Sequence, residues 1–120
     1  MPDPLIVCVD LDGVLNLFDG WKGAGYFHPP RPGAEEFLRA LVEQGYRVVV
    51  FTVRWKEHVE QWLVEHGLRG LVSEVTDRKP PAHVYLDDRA ICFRGDFDAA
   101  LSQIRSFKAH WETARQDSAT

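Results

Sequence analysis

Cysteine, methionine and net positive charge are all scarce in this chain. Of its 120 residues two are cysteine and one is methionine. Cys8 and Cys92 lie too far apart in sequence to form a zinc-site pattern, and two cysteines do not make a disulfide framework. Each sits in an apolar run, so both read as reduced core residues. Fourteen basic residues against eighteen acidic ones leave a net charge of -4. That removes the broad basic field of a general nucleic-acid binder and leaves a polynucleotide only as a substrate. Long apolar runs are missing too. The first stretch, MPDPLIVCVDLDGVLNLF, has no basic flank and is interrupted by Asp10 and Asp12, so it is neither a signal peptide nor a membrane span. A cytoplasmic protein with no membrane partner is the expectation. There is no internal repeat, low-complexity tract or second domain, and residues 1–120 read as one domain with a frayed polar tail from about Thr113.

What is present is ordinary globular composition, 45% apolar and 27% charged, enough to bury a core without a covalent staple. Leu5 to Val9 is a continuous apolar run ending in Asp10, the pattern of a strand buried on both faces. Asn16 to Pro32 is a loop rich in Gly, Pro and aromatics. Ala34, Phe37, Leu38, Leu41 and Val42 form a helical stripe stopped by Gly45. Val48 to Phe51 is a second buried strand ending at Thr52. Trp55, Val59, Trp62, Leu63 and His66 mark a second amphipathic helix stopped by Gly67. A weaker strand over Leu71 to Val75 precedes the turn-like Asp77 to Pro81. His83 to Leu86 is a short strand ending in Asp87 and Asp88, and Ala90 to Phe93 suits one more. Phe97, Ala100, Leu101 and Ile104 mark a last helix that extends toward Trp111.

Alternating strands and helices predict an α/β domain with three layers, Rossmann-like, with a mainly parallel sheet and right-handed crossovers. Ligands of such sheets bind beyond the carboxyl ends of the strands. Asp10, Thr52 and the Asp87-Asp88 pair each follow a strand directly. In strand geometry Asp10 and Asp12 point the same way, and Gly13 permits a sharp departure. Clustered carboxylates repel one another, and a hard divalent cation, Mg²⁺, relieves this. With Lys79 as a second positive charge and Thr52 as a donor, such a site suits phosphoryl transfer. An Asp of ordinary pKa, near ~3.9, is ionised at neutral pH and attacks without a general base.

At these residues the chain resembles the haloacid dehalogenase-like phosphohydrolase superfamily. Val9-Asp10-Leu11-Asp12-Gly13-Val14-Leu15 matches the family's first motif. Val48 to Thr52 matches the second, Lys79-Pro80 the third, with Arg78 as an adjacent candidate, and Val84 to Asp88 the fourth. The resemblance implies that Asp10 is the nucleophile and that Asp12 is the general acid/base, with its backbone carbonyl on the metal. It implies that Asp10 and Asp87 ligate Mg²⁺ by their side chains and that Asp88 acts through water or holds Lys79. Thr52 and Lys79 would bind the phosphoryl group. The spacings leave no room for a cap domain. Cover for the site is then expected from a flap over Phe18 to His28, with Trp21, Tyr26 and Phe27, from a homodimer partner, or from a large substrate. Arg54, Arg89 and Trp21 are candidate substrate contacts, and His28 a candidate to face the site.

The leading expectation is a Mg²⁺-dependent phosphomonoester hydrolase working through an aspartyl phosphate. The alternatives are a phosphatase of polynucleotide ends or other macromolecules, a catalytically silent binding module on the same fold, and an Asp-phosphorylated receiver. The receiver's acidic pair stands on the first strand, whereas here the pair comes last.

Overall fold

The computed structural model describes residues 4–112; the tail expected after Thr113 lies outside them. Four strands and three helices follow one another as β1 Ile6–Asp10, α1 Ala34–Glu43, β2 Arg47–Phe51, α2 Lys56–Glu65, β3 Glu74–Thr76, β4 Val84–Leu86 and α3 Phe97–Ser106. The sheet order is β3-β2-β1-β4, and every pairing is parallel. This is the expected Rossmann-like α/β fold, with no cap domain among the described residues.

The register explains the core. Val7 and Val9 pair with Val48 and Val50, and Val50 pairs with Val75. Residues that pair share a face, so these side chains form one apolar surface. Ala34 and Leu38 of α1 and Val59, Trp62 and Leu63 of α2 cover it, with Leu11 and Leu15 completing the cluster. Gly45 and Gly67 adopt positive φ just after the two helices, where a side chain would be strained.

The sequence pattern fails where an element lacks a second face to bury. Phe37 and Val42 of the α1 stripe stay exposed, as does Trp55 ahead of α2. The expected strand over Leu71 to Val75 splits into a short turn, Arg69–Leu71, and the strand Glu74–Thr76. Ala90 to Phe93 form no strand, and Cys92 is exposed rather than in the core, whereas Cys8 is buried as expected. Strand β4 is an edge strand, and all three of its residues are exposed. Helix α3 ends at Ser106, short of Trp111, and buries none of its residues. No helix among the described residues is long and apolar enough to cross a membrane.

Candidate active site

The carboxyl ends of β1 and β4 are neighbours because the two strands pair directly. Asp10 closes β1, and Asp87 and Asp88 follow β4 at once. Their side chains converge: Asp10, Asp87 and Asp88 each offer a carboxylate oxygen within 4.8 Å of the others. Burial, then a hydrogen bond with Asp88, then the charges of Asp87, Asp88 and Asp12 push the Asp10 carboxyl up to about 8. Without a nearby cation the cluster thus opposes ionisation of Asp10, where the sequence alone suggested an ordinary carboxylate. Three oxygen donors carrying this much unrelieved charge can hold a metal ion. The cluster consists of Asp10, Asp87 and Asp88; the Asp12 side chain is not in it.

A turn over Leu11–Leu15 follows β1, and Gly13 stands at φ +87 within it. A Cβ at Gly13 would land inside the Asp88 carboxylate and 3.1 Å from Trp111 Nε1. Only glycine lets β1's loop approach Asp88 this closely. Buried Asn16 ties the turn together. Its Oδ1 accepts from the backbone N–H of Gly13 at 3.0 Å and of Phe18 at 3.1 Å, and its Nδ2 donates to Asp12 Oδ1 at 2.9 Å. Arg31 donates to the carbonyls of Val14, Gly13 and Asn16.

The segment between Leu17 and Pro29 closes on itself through an antiparallel bridge from Asn16 to Pro30 and forms the flap. Arg54 joins the flap to the site. Its Nε donates to Asp12 Oδ2 at 2.8 Å and its Nη1 to the carbonyl of Ala24 at 3.3 Å. The guanidinium lies over the rings of Phe27 at 4.5 Å and Trp21 at 4.9 Å. With its side chain 2% exposed, Arg54 is a flap anchor on Asp12 rather than an open substrate contact. Trp21 covers Arg54 and keeps its other face in solvent. His28 does not face the site. It is buried, bonded to Asp19, and edge-on to Phe18 and Tyr26.

Thr52 is buried at the end of β2, and its hydroxyl accepts the backbone N–H of Arg54 at 3.0 Å. Lys79 lines a cavity of about 650 Å³ together with Asp10, Asp87, Cys8 and Tyr85, its ammonium 4.6 Å from the Tyr85 ring centre. Burial and the charges of Asp10 and Asp87 push the Cys8 thiol up, and Lys79 opposes them. Of the adjacent pair Arg78 and Lys79, Lys79 is the one that shares the cavity with Asp10. Arg89 pairs with Glu112 at 2.8 Å and stacks over Trp111, while its backbone N–H donates to Asp87 Oδ1.

Three site residues were not anticipated. Trp111 donates its indole N–H to Asp88 Oδ2 at 2.6 Å. His110 donates to the carbonyl of Gly13 at 2.7 Å. Asn16 had a usable signal, an Asx side chain three residues past a turn glycine. Trp111 and His110 had none, because they reach the site from the far end of the described chain.

No family model matches the chain and no curated protein matches it. A solved structure of a conserved protein from Bacteroides thetaiotaomicron is similar, with a TM-score of 0.59 and 21% identity over 92% of this chain and 97% of that one. At that identity the likeness speaks for the fold alone.

Proposed function

We propose that this chain is a Mg²⁺-dependent phosphomonoester hydrolase of the haloacid dehalogenase-like type. The observation that carries this reading is the convergence of Asp10, Asp87 and Asp88 at one sheet edge, with Asp10 and Asp87 in a cavity that Lys79 also lines. Asp10 and Asp87 would hold the metal with their side chains, with Asp88 beside them. A bound Mg²⁺ would supply positive charge that favours the ionised Asp10 carboxyl and offsets the charge of a phosphate. The ionised Asp10 Oδ then attacks phosphorus in line, the ester P–O bond breaks, and an aspartyl phosphate forms as the alcohol leaves with a proton. Water next attacks the same phosphorus and gives a proton to Asp12, the acyl phosphate P–O bond breaks, Asp10 is regenerated as a carboxylate and inorganic phosphate leaves. Lys79 balances the phosphate charge, and the buried Thr52 hydroxyl still has a proton to donate.

Asp12 is the proton carrier in this scheme. Its two oxygens accept from Arg54 and Asn16. Giving a proton to the leaving group requires one of these contacts to yield, and Arg54 is the one tied to the flap. The test is phosphate release from a panel of sugar phosphates, nucleotides and 3′- and 5′-phosphorylated oligonucleotides, with Mg²⁺ or EDTA, beside Asp10→Asn. Metal-dependent release lost in the variant is expected. Release that persists in Asp10→Asn excludes Asp10 as nucleophile.

A further inference from the structure

The two faces of the sheet carry different chemistry. Val7 and Val9 pack into the core under α1 and α2, so Cys8 and Asp10, which alternate with them, lie on the opposite face. Cys8 pairs with Tyr85, and Asp10 pairs with Phe51. Cys8, Phe51 and Tyr85 therefore share the face that carries Asp10. Val84 and Leu86 pair with Val7 and Val9 and belong to the core face.

Cys8, Phe51 and Tyr85 line the cavity of about 650 Å³ together with Ala90, Ile91 and Cys92 of the loop after β4. Asp10, Asp87 and Lys79 line the same cavity. Tyr85 is exposed, and Phe51 and Ile91 are half-buried, so this wall is open. The Tyr85 hydroxyl is turned to the backbone, where it donates to the Pro80 carbonyl and accepts from the Ala82 N–H at 3.2 Å. Its ring is left as an apolar surface, with the Lys79 ammonium 4.6 Å from the ring centre. A volume of about 650 Å³ falls within the ~300–1,000 Å³ of small-molecule sites. Helix α3, with ten residues, is ~15 Å long and ~10 Å across, on the order of 1,200 Å³, and does not fit inside. Its apolar stripe would also leave the charges of Asp10, Asp87 and Lys79 without partners.

We propose that this cavity receives the organic group of the phosphate ester, and that this group is apolar and ring-bearing rather than a sugar. The place of the phosphate rests on the hydrolase reading; the place of the organic group rests on the cavity. An aromatic ring laid along Cys8, Phe51, Tyr85 and Ile91 leaves water for apolar neighbours and meets the rings of Phe51 and Tyr85. A sugar in the same space would give up the water on its hydroxyls to carbon and sulfur, and the Tyr85 hydroxyl is already engaged.

The test separates the organic group from the phosphate by using two phosphonates that are not hydrolysed. Methylphosphonate and benzylphosphonate are titrated into the protein by NMR, with Mg²⁺ and with EDTA. Binding of both should need Mg²⁺, and benzylphosphonate should bind about tenfold or more tightly than methylphosphonate. Ile91→Gln, which keeps the size of the side chain, should remove that advantage and leave methylphosphonate binding unchanged. Equal affinity of the two phosphonates, the result expected if α3 closes over the cavity, overturns the apolar substrate and leaves the hydrolase reading standing. An advantage that survives Ile91→Gln overturns the placement of the ring. Failure of both phosphonates to bind overturns the phosphate site and this inference together. Turnover gives an independent arm. Benzyl phosphate and glucose 6-phosphate are both esters of a primary alcohol, so their leaving oxygens are alike. The kcat/KM should favour benzyl phosphate by about tenfold or more; a preference for the sugar ester overturns the proposal.

Discussion

Arg54 donates its Nε to Asp12 Oδ2 at 2.8 Å across 42 positions of sequence. The contact joins the loop after β2 to the loop after β1. Because the same guanidinium holds the carbonyl of Ala24 and lies over the rings of Trp21 and Phe27, the position of the flap and the freedom of Asp12 are one variable. One guanidinium nitrogen, Nη2, is buried without a partner. It marks Arg54 as held in place by the flap at some electrostatic cost.

Replacing Arg54 by Met therefore removes two things at once. Asp12 loses a charge-assisted hydrogen bond, and the flap loses its anchor. Stability should fall by about 1–3 kcal/mol, read as a shift in urea midpoint. Turnover, if the chain is the proposed hydrolase, should fall about 100-fold through misplacement of Asp12. Arg54→Lys should not rescue it, since an ammonium lacks the planar face that the two rings flank. Full activity in Arg54→Met would separate the flap from the acid.

The raised Asp10 carboxyl gives a pH dependence of definite sign. Its folded value of about 8 stands above the ordinary 3.8. Between those values the folded state keeps a proton that the unfolded chain releases, so this contribution is fully present below pH ~3.8 and is lost as pH rises to ~8. In EDTA the melting temperature should decline across that window. The lowered carboxyls of Asp19 and Glu112 act at the acid end, where their contribution is lost as pH falls. Added Mg²⁺ should displace the Asp10 proton and flatten the decline, and its apparent affinity should climb over the same range. Melting curves with and without metal check both halves; a flat EDTA profile would show that Asp10 titrates normally.

How much of this was written in the sequence depends on where each residue's partners lie. Strands buried on both faces leave long apolar runs, so β1 and β2 and the acidic residues at their ends or neighbouring strand ends were legible. Parallel pairing then brings Asp10 beside Asp87 and Asp88 without further information. Arg54 stood out in the sequence as a candidate substrate contact, but two aromatic rings and Asp12 bury it. A stripe such as Phe97, Leu101 and Ile104 specifies a helix and an apolar face without saying which chain covers it. Cys92 sits in an apolar run that no element buries, so its hydrophobic neighbours misdirected the reading.

Gly13 is held by the site as well as by its own backbone. At φ +87 a side chain is strained, by about 1–2 kcal/mol, and the new methyl must also push the Asp88 carboxylate aside. Gly13→Ala should unfold at a lower urea concentration than the wild type and bind Mg²⁺ more weakly. Equal loss of stability with unchanged metal binding would assign Gly13 to the turn alone.

Trp111 offers the finest probe of the acidic cluster. Its indole N–H donates to Asp88 Oδ2 at 2.6 Å, while its ring meets the edge of Phe18 at 5.0 Å and the guanidinium of Arg89 at 4.9 Å. Trp111→Phe keeps an aromatic ring in that space and removes the donor. The stability change should stay near the ~1 kcal/mol of a single hydrogen bond. Metal binding should suffer more, because a carboxylate that has lost its orienting partner costs on the order of tenfold or more in affinity. Calorimetric Mg²⁺ titration of the two proteins, set beside their melting temperatures, separates the effects. A variant that melts lower and binds Mg²⁺ as the wild type does would place Trp111 in packing and leave Asp88 oriented by Asp10.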